Sequence, residues 1–330
     1  MSSCSYGKGE ADKFYGIGLA LSYRGMSLGA EGMDFNSAII NVQFDGSILL
    51  EVGVHENGQG SESTMMMLLA EELGVSLSRI RYRQPSTANI PDGGTTVASR
   101  ATLMGGGAVV NAARKLKQQM AELLADKLEC TADEIEFRND TLFGANGNTI
   151  TFDNAVNELY KMQEFPYAFG TFKAPKVTWN EETGQGNAYF TWVYGCQCVE
   201  LTVSRKTGKV KLLNAWAAHD VGKAVNREML LGQYYGGMAM GIGYGLHEEV
   251  LIDNGRIRNT NLNKYRIPRA AAMPEMKAIV IENADPLSPS GAKGIGEPTN
   301  ELMAPAIANA IYGATGKRCY RLPIKVEGAA

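Results

Sequence analysis

Hydrophobic residues recur along the chain in two patterns, the alternation typical of strands and the spacing typical of helices. The first half of the chain contains both patterns. Alternating apolar positions predict strands over residues 16–23, 37–44, 47–54 and 80–83. Asp45-Gly46, between the second and third of these strands, predicts a hairpin turn. Apolar residues at helical spacing predict a helix that ends at Gly74, and a longer helix led by three glycines at residues 105–107. Residues 85–102, between these helices, are rich in small residues and predict a loop.

The second half shows a similar order of strands followed by helices. Strand patterns cover residues 189–203 and 210–218, and Asn254-Gly255 predicts another hairpin. Residues 229–242 predict a helix that contains four glycines. Glycine lowers helix stability, so we expect this helix to pack very closely against another backbone or a ligand. A final helical pattern follows Pro298.

These elements together predict an α+β fold with two lobes, each a mixed sheet packed with helices. Residues 1–13 are polar and predict a tail. The first lobe is expected over residues 14–175 and the second over residues 176–330. Residues 165–186 carry two prolines and several aromatic residues, and we interpret them as the crossing between the lobes.

Composition and charge exclude several classes of function. The chain has 330 residues, and 32 Lys and Arg against 35 Asp and Glu leave a net charge of -3. No basic stripe is present, which argues against nucleic acid as a partner. Five scattered cysteines without a signal-peptide pattern indicate a reducing compartment, and therefore a cytoplasmic protein. No apolar run reaches membrane-spanning length, so no membrane partner is expected.

Three loops share one design, in which glycines or small residues come immediately before a helix. They are Gly58-Gln59-Gly60, residues 98–107, and Gly294-Ile295-Gly296. Such loops present backbone N–H groups to an anion. None ends in the Lys-Ser/Thr of a P-loop, and none lies in the context of a dinucleotide-binding fingerprint. Three of them in one chain indicate a long, phosphate-bearing cofactor that lies across both lobes.

The last of these loops also carries a carboxylate. Glu297 follows the glycines and precedes Pro298, and proline is favoured at the first position of a helix. Glu297 is therefore expected at a helix N-terminus, where it is either a reactive group or a simple helix cap.

The sequence contains no metal-ligand motif. The three histidines are far apart in the sequence and form no metal motif. Cys196-Gln-Cys198 places two thiols on one face of a strand, which suits core packing better than zinc or iron–sulfur ligation. His219-Asp220 is either a catalytic pair or a hydrogen-bonded structural pair.

The order of these motifs resembles one protein family. The chain is similar to the C-terminal half of the molybdenum-binding subunit of the xanthine oxidase family of molybdenum hydroxylases. The matching stretches are His55-x-x-Gly58-Gln-Gly60, Asp92-Gly-Gly94 to Ser99-Arg100, Gly105-Gly-Gly-Ala-Val109, Asp220-x-Gly222 with Asn226, Gly232-Gln-x-x-Gly-Gly237, Tyr265-x-Ile-Pro268, Gly291-x-Lys-Gly-x-Gly-Glu-Pro298 and Ala304-Pro-Ala-Ile-x-Asn-Ala-Ile311. They cover most of the chain. The stretch over residues 23–32 resembles the nicotinate-hydroxylating branch, in which the molybdenum protein is divided between two chains.

The resemblance implies a role for each matching residue. Glu297 corresponds to the general base of the family, and Gln233 would reach the pterin or the molybdenum oxo group. Ala98 and Ser99 would lie nearest the substrate. No side chain would bind molybdenum directly, because the metal is held through the pterin dithiolene. The full cofactor-binding set is Gly58, Gln59, Gly60, Ser61, Ala98, Ser99, Arg100, Ala101, Thr102, Gly106, Gln233, Lys293, Gly294, Ile295 and Gly296.

The resemblance also implies the activity and the partners. The expected reaction inserts a water-derived hydroxyl into an electron-poor N-heteroaromatic ring, with nicotinate to 6-hydroxynicotinate as the first candidate. The expected cofactor is molybdenum-molybdopterin cytosine dinucleotide with a terminal sulfido or selenido ligand. A second molybdopterin subunit would supply the missing lobe. FAD and [2Fe-2S] subunits would pass electrons to NAD(P).

Two alternatives remain open at this stage. A purine hydroxylase subunit is the other candidate enzyme, because most of the substrate pocket of the family lies in the missing lobe. A scaffold that binds the cofactor without taking part in the chemistry is the second alternative, although the intact Gly-Glu-Pro favours catalysis. Arg24, Arg100 or Arg266 could pair with a substrate carboxylate, or each could be a structural or phosphate contact.

Overall fold

The computed structural model describes residues 12–328, so most of the expected tail and Cys4 lie outside the described residues. The strands are β1 (Lys13–Gly25), β2 (Phe35–Val42), β3 (Ile48–Val52), β4 (Ile80–Tyr82), β5 (Glu136–Arg138), β6 (Thr141–Phe143), β7 (Thr149–Thr151), β8 (Tyr167–Lys173), β9 (Thr178–Asn180), β10 (Gln185–Asn187), β11 (Trp192–Ser204), β12 (Val210–Asp220), β13 (Ile252–Asp253), β14 (Arg256–Ile257) and β15 (Glu275–Ile281). The helices are α1 (Ser61–Leu73), α2 (Gly106–Leu128), α3 (Phe152–Lys161), α4 (Arg227–Leu246), α5 (Pro298–Glu301) and α6 (Met303–Thr315). A π-helical segment, Ala101–Gly105, leads into α2. This mixture of sheets and helices confirms the α+β fold class.

The first four-stranded sheet has the order β4-β3-β2-β8. Its β2–β3 hairpin turns at Asp45-Gly46 as predicted, and Gly46 adopts a φ of 78° that suits glycine. Helices α1 and α2 pack on this sheet around a core that includes Ile40, Leu50 and Leu116, all fully buried. Gly74 ends α1 in the left-handed conformation, which confirms the predicted stop.

The second four-stranded sheet has the order β1-β11-β12-β15. Strand β1 pairs with β11 along its whole length, so residues 13–25 join this sheet although they were expected in the first lobe. The sheets therefore do not follow the expected division into residues 14–175 and 176–330 at this strand. Helix α6 packs directly on β1 and β11, and the close approach is possible because Gly16 and Gly18 present no side chain to it.

The interpretation of residues 165–186 as a crossing is wrong for its first part. Residues Tyr167–Lys173 form β8, which pairs with β2 at the edge of the first sheet. Gly170 lies in this strand because a Cβ there would come 2.2 Å from the backbone nitrogen of Ala112 in α2. The two-stranded ribbon β9–β10 follows over residues 178–187.

The glycine-rich helix α4 packs closely against α5 and α6, as its composition predicts. A Cβ on Gly237 would come 2.0 Å from the Thr299 hydroxyl, and one on Gly241 would come 2.6 Å from the Met303 Cβ. Gly232 and Gly236 differ, because nothing lies within 4 Å of a Cβ at either position. Only some of the glycines in this helix are therefore required by packing.

This difference gives a test with two matched substitutions in one helix. We expect Gly236→Ala to raise the free energy of unfolding by roughly 0.5–1 kcal/mol, because alanine loses less backbone entropy in a helix. We expect Gly237→Ala to lower it, because the methyl group would collide with buried Thr299. Urea unfolding of both variants measures the two effects. Equal stabilities would contradict the close packing of α4 on α5.

Candidate active site

The three predicted glycine loops meet around one cavity between the two sheets. Its volume is about 220 Å³. The loops before α1, α2 and α5 line it, together with two residues of α1 and one residue of α4. The lining residues are Asn57, Gln59, Ser61, Thr64, Thr96, Val97, Ser99, Arg100, Ala101, Thr102, Gln233, Gly294, Ile295, Gly296 and Glu297. Residues separated by more than 200 positions are thus brought to one site.

Glu297 stands where the glycine loop meets a helix, as the sequence predicts. It is the N-cap of α5, and Pro298 occupies the first helical position. Its backbone N–H donates to the Ser99 hydroxyl at 3.0 Å, and that hydroxyl donates to Glu297 Oε2 at 2.5 Å. This pair of hydrogen bonds connects the loop before α2 to the loop before α5.

Arg24 is the second partner of the Glu297 carboxylate. Its Nη2 lies 3.2 Å from Glu297 Oε2, and its Nη1 pairs with Glu301 one turn later. Both Ser99 and Arg24 therefore bind the same oxygen. No hydrogen bond from residues 12–328 reaches Oε1, and the Glu297 side chain is 41% exposed. The carboxylate of this cavity-lining residue is therefore fixed through one oxygen, while the other oxygen has no partner in the described residues.

The backbone around Ser99 is strained. Ala98 and Ser99 are consecutive non-glycine residues with φ of 51°, a conformation that such residues adopt rarely and mostly at functional sites. The Ala98 carbonyl accepts a hydrogen bond from Ser27 N at 3.2 Å, which holds the strained loop against the end of β1. On the other side, Gly294 lies so close that a Cβ would come 1.6 Å from the Ser99 carbonyl oxygen.

Arg100 lines the cavity, but its guanidinium is already engaged. The side chain is buried and bonds Asp34 Oδ1 at 2.8 Å through Nε. It also donates to the carbonyl oxygens of Phe35, Gly93 and Thr95. Arg100 therefore organises the loop before α2 and does not extend a cation towards a phosphate or a substrate carboxylate.

The loop before α1 differs from the expectation that it presents free N–H groups. The Glu56 carboxylate accepts from the N–H groups of Gly58, Gly60 and Glu62 at 2.8 to 3.0 Å. Burial by itself would raise the pKa of this carboxyl, but these backbone donors outweigh it and hold the pKa below its usual value. The N-terminus of α1 thus already holds an anion that the chain supplies.

Two glutamine side chains from different elements line the cavity. Gln59 is fixed within its own loop, because its Nε2 donates to the His55 carbonyl and to Ser61 Oγ. Gln233 comes from α4, and its side chain makes no hydrogen bond to another residue in the described part of the chain. Gln59 and Gln233 also line a second, smaller cavity of about 70 Å³, which includes Asn226 and Lys223. The two cavities share five lining residues, and we refer to them together as the groove.

The remaining predicted site residues do not line the first cavity. Gly58, Gly60 and Ala98 support the loops around it, and Gly106 packs inside α2 against Leu68. Lys293 lines only the second cavity, and its ammonium group is buried against Asp220 Oδ2 at 2.8 Å.

Some residues of the site were missed from sequence. Thr64 follows Ser61 by three positions, so helical spacing could have placed its side chain on the same face. The pairing of Arg24 with Glu297 had no sequence signal. Arg266 lies in a separate cavity with His247 and Pro268.

His219 and Asp220 do not line the cavity, and no hydrogen bond joins the two side chains, so they form neither a catalytic pair nor a hydrogen-bonded structural pair. His219 is fully buried, and Asp220 pairs with Lys293 and accepts from Gly222 N at 3.0 Å. Burial lowers the pKa of His219 to about 4, because the charged imidazolium would lose its hydration. The folded chain therefore holds this histidine neutral.

This shift predicts a loss of stability in mild acid. An unfolded histidine has a pKa near 6.5. Below that pH the unfolded chain binds a proton that the folded chain does not bind, and this favours unfolding. The free energy of unfolding is therefore unaffected by this group above about pH 6.5, and it falls as the pH decreases from 6.5 towards 4. We expect the free energy of unfolding to fall by about 2 kcal/mol between pH 7 and pH 5 from this group. Urea unfolding at the two pH values measures it, and His219→Gln should remove this part of the pH dependence.

Comparison with known proteins agrees with this geometry. The profile of the molybdopterin cofactor-binding domain matches residues 5–274. The chain belongs to this family, the molybdopterin cofactor-binding domains of xanthine oxidase-type molybdenum hydroxylases. It is 30% identical over 94% of its length to a probable xanthine dehydrogenase subunit of Bacillus subtilis. It is 26% identical over 96% of its length to the nicotine 6-hydroxylase large subunit of Paenarthrobacter nicotinovorans.

A solved structure supports the same assignment. The aldehyde oxidoreductase from Desulfovibrio gigas superposes with a TM-score of 0.80 at 27% identity, over 96% of this chain and 32% of that one. The chain spans 41% of the Bacillus subtilis relative and 40% of the nicotine hydroxylase subunit. No helix in residues 12–328 is long and apolar enough to cross a membrane.

The donor set of the groove fits a molybdopterin. Amides and hydroxyls from Gln59, Gln233, Ser61 and Thr102 suit the many nitrogen and oxygen atoms of a pterin. The first N–H groups of the segment that begins at Ala101 have no intrahelical acceptor and suit a phosphate. Glu297 is the only carboxylate among the lining residues, so an anionic cofactor meets little repulsion.

Proposed function

We propose that this chain is a catalytic molybdenum-binding part of a hydroxylase that acts on an electron-poor N-heteroaromatic ring, with Glu297 as the general base. One observation carries the proposal: Ser99 and Arg24 both hold Oε2 of the cavity-lining Glu297, while Oε1 has no partner among the described residues. A base has to be held still and yet reach the proton that it removes. The arrangement provides both properties.

The residues around the groove have distinct roles in this proposal. Bound molybdenum cofactor would supply a water-derived oxygen nucleophile and accept two electrons. Gln59, Gln233, Thr102 and the N–H groups that begin at Ala101 would hold the cofactor. Glu297 Oε1 would take the proton that is lost as the oxygen attacks the ring. Arg24 would keep the carboxylate in place.

The finer assignments rest on the resemblance. They are a cytosine dinucleotide form of the cofactor with a sulfido or selenido ligand, FAD and [2Fe-2S] on partner subunits, NAD(P) as final acceptor, and a cytoplasmic location. Nicotinate remains the first candidate substrate. A specific observation favours purines as well, because the 30% identical Bacillus subtilis relative is a probable xanthine dehydrogenase subunit.

Purification of the tagged chain from its own host tests the proposal. We expect molybdenum in the preparation, together with a second molybdopterin-binding chain, a flavoprotein and an iron–sulfur protein. Turnover of nicotinate and of xanthine by that complex then decides between the two substrates. A chain that purifies alone and without molybdenum would support the scaffold alternative and contradict the proposed activity.

A further inference from the structure

A buried polar cluster lies beneath the helix turn that carries Glu297. Within residues 12–328, four buried side-chain atoms have no hydrogen-bond partner: Ser22 Oγ, Arg24 Nε, Gln197 Oε1 and His219 Nδ1. By strand register, all four residues share one face of the second sheet. Ser22 and Arg24 are on β1, Gln197 on β11 and His219 on β12. Buried polar atoms nearly always have a partner, so such a concentration at one place calls for a physical cause.

Gln197 connects this cluster to the loop that carries Glu297. Its Nε2 donates to the carbonyl oxygen of Thr299 at 2.6 Å. Thr299 is fully buried, lies two residues after Glu297, and its hydroxyl donates back to the Gly296 carbonyl at 3.2 Å. Gln197 is itself fully buried. The Gln197 amide therefore connects the short helix α5 to strand β11.

The N–H groups of the Gln197 amide determine the tautomer of His219. Gln197 Nε2 lies 3.2 Å from His219 Nε2. An amide nitrogen only donates, so His219 Nε2 has to accept, and the ring proton has to be on Nδ1. That N–H is buried and finds no acceptor among the described protein atoms. The low pKa of His219 agrees with a neutral ring.

The Ser22 hydroxyl lies across Gly195 from this donor. Ser22, Gly195 and His219 are directly opposite one another on β1, β11 and β12. A Cβ on Gly195 would lie 2.4 Å from His219 Nδ1 and 3.0 Å from Ser22 Oγ, so these two atoms are at most 5.4 Å apart. They form no direct hydrogen bond. One water molecule spans such a distance with two hydrogen bonds of about 2.8 Å each.

We propose that Gln197 is a positioning residue for Glu297, and that one internal water between His219 Nδ1 and Ser22 Oγ holds the network in place. The inference rests on the proposed role of Glu297 as the base. The water fixes the His219 ring, the ring fixes the second N–H of Gln197, and the first N–H fixes Thr299 and with it the turn that carries Glu297. A base displaced by about 1 Å can lose a hundredfold in rate.

Kinetics of the molybdenum-loaded complex with Gln197→Met test the positioning role. Methionine keeps the length of the side chain but donates no hydrogen bond. We expect kcat per bound molybdenum to fall by about 10- to 100-fold with KM and molybdenum content unchanged. The matched control is Tyr160→Phe, which removes a half-buried hydroxyl from the carbonyl oxygen of Val42 in the first sheet. It should lower the melting temperature but leave kcat unchanged. A Gln197→Met complex with the wild-type kcat would overturn the inference.

Two further measurements separate the parts of the inference. Ser22→Ala should reduce kcat by about 2- to 5-fold, because Gln197 keeps its bond to Thr299 while the water loses one partner. This variant also serves if Gln197→Met does not assemble, and an unchanged kcat would count against the network. A crystal structure of the complex should show the water, and direct contact between Ser22 and His219 would exclude it. If Glu297→Gln keeps full turnover, the proposed function fails instead.

Discussion

Glu297→Gln in the assembled complex should reduce kcat by about 10²- to 10⁴-fold while the molybdenum content stays at the wild-type level. Glutamine keeps the shape of the side chain and can still accept from Ser99 Oγ, but it cannot take the proton lost in the proposed hydroxylation. The range is that of a positioned general base. Steady-state turnover normalised to bound molybdenum measures the effect.

Glu301→Gln is the matched control for this substitution. Glu301 pairs with the same Arg24, and its side chain is 25% exposed, but it does not line the cavity. We expect its kcat to stay within a few-fold of the wild type. If both variants lose turnover to the same extent, the effect comes from disturbing Arg24. If Glu297→Gln loses molybdenum together with turnover, Glu297 is structural and the proposed role is wrong.

Local patterns in the sequence predicted much of the fold. The hairpin at Asp45-Gly46, the stop of α1 at Gly74 and the start of α5 at Pro298 each depend on residues a few positions apart. The three glycine loops could be recognised in the same way. Their convergence on one cavity was an expectation from the resemblance and from their common design, and the structure brings them together.

The fold predictions that failed concern contacts between residues that are distant in the sequence. Strand β15 was not predicted, and it pairs in parallel with β12 more than 50 residues earlier in the chain. The place of β1 in the second sheet is set by β11, nearly 180 residues later. No local pattern encodes which strand becomes the neighbour of another.

The predictions about free charged groups and free N–H groups in the site failed for a related reason. A glycine loop before a helix offers N–H groups, but the sequence does not say which acceptor takes them. Glu56 takes those before α1, and Asp34 engages the guanidinium of Arg100. Both partners are chosen by the folded loop. The residue types of the site could thus be predicted, but their free and engaged groups could not.

Gly294→Ala should remove most of the molybdenum from the purified complex. The φ of Gly294 lies outside the left-handed region, so alanine is not excluded by its backbone conformation. The added Cβ would, however, come 1.6 Å from the Ser99 carbonyl oxygen, which is a backbone atom in a strained loop and cannot rotate away. The loops before α2 and α5 therefore have to separate, and the cofactor wall opens between them. Molybdenum per purified complex, measured by elemental analysis, reports the loss.

Two other glycines show whether this effect depends on the contact with Ser99. Gly313→Ala in α6 places its Cβ 3.5 Å from the Ile17 carbonyl, an ordinary contact, and should keep the full molybdenum content. Gly296→Ala meets only the Ser99 hydroxyl, at 3.2 Å, and that hydroxyl can shift. Because the same hydroxyl holds Glu297, this variant should keep molybdenum and lose part of its turnover. Full molybdenum in Gly294→Ala would show that the two loops can separate without opening the site, and that the cofactor is held mainly by Gln59, Gln233 and the start of α2.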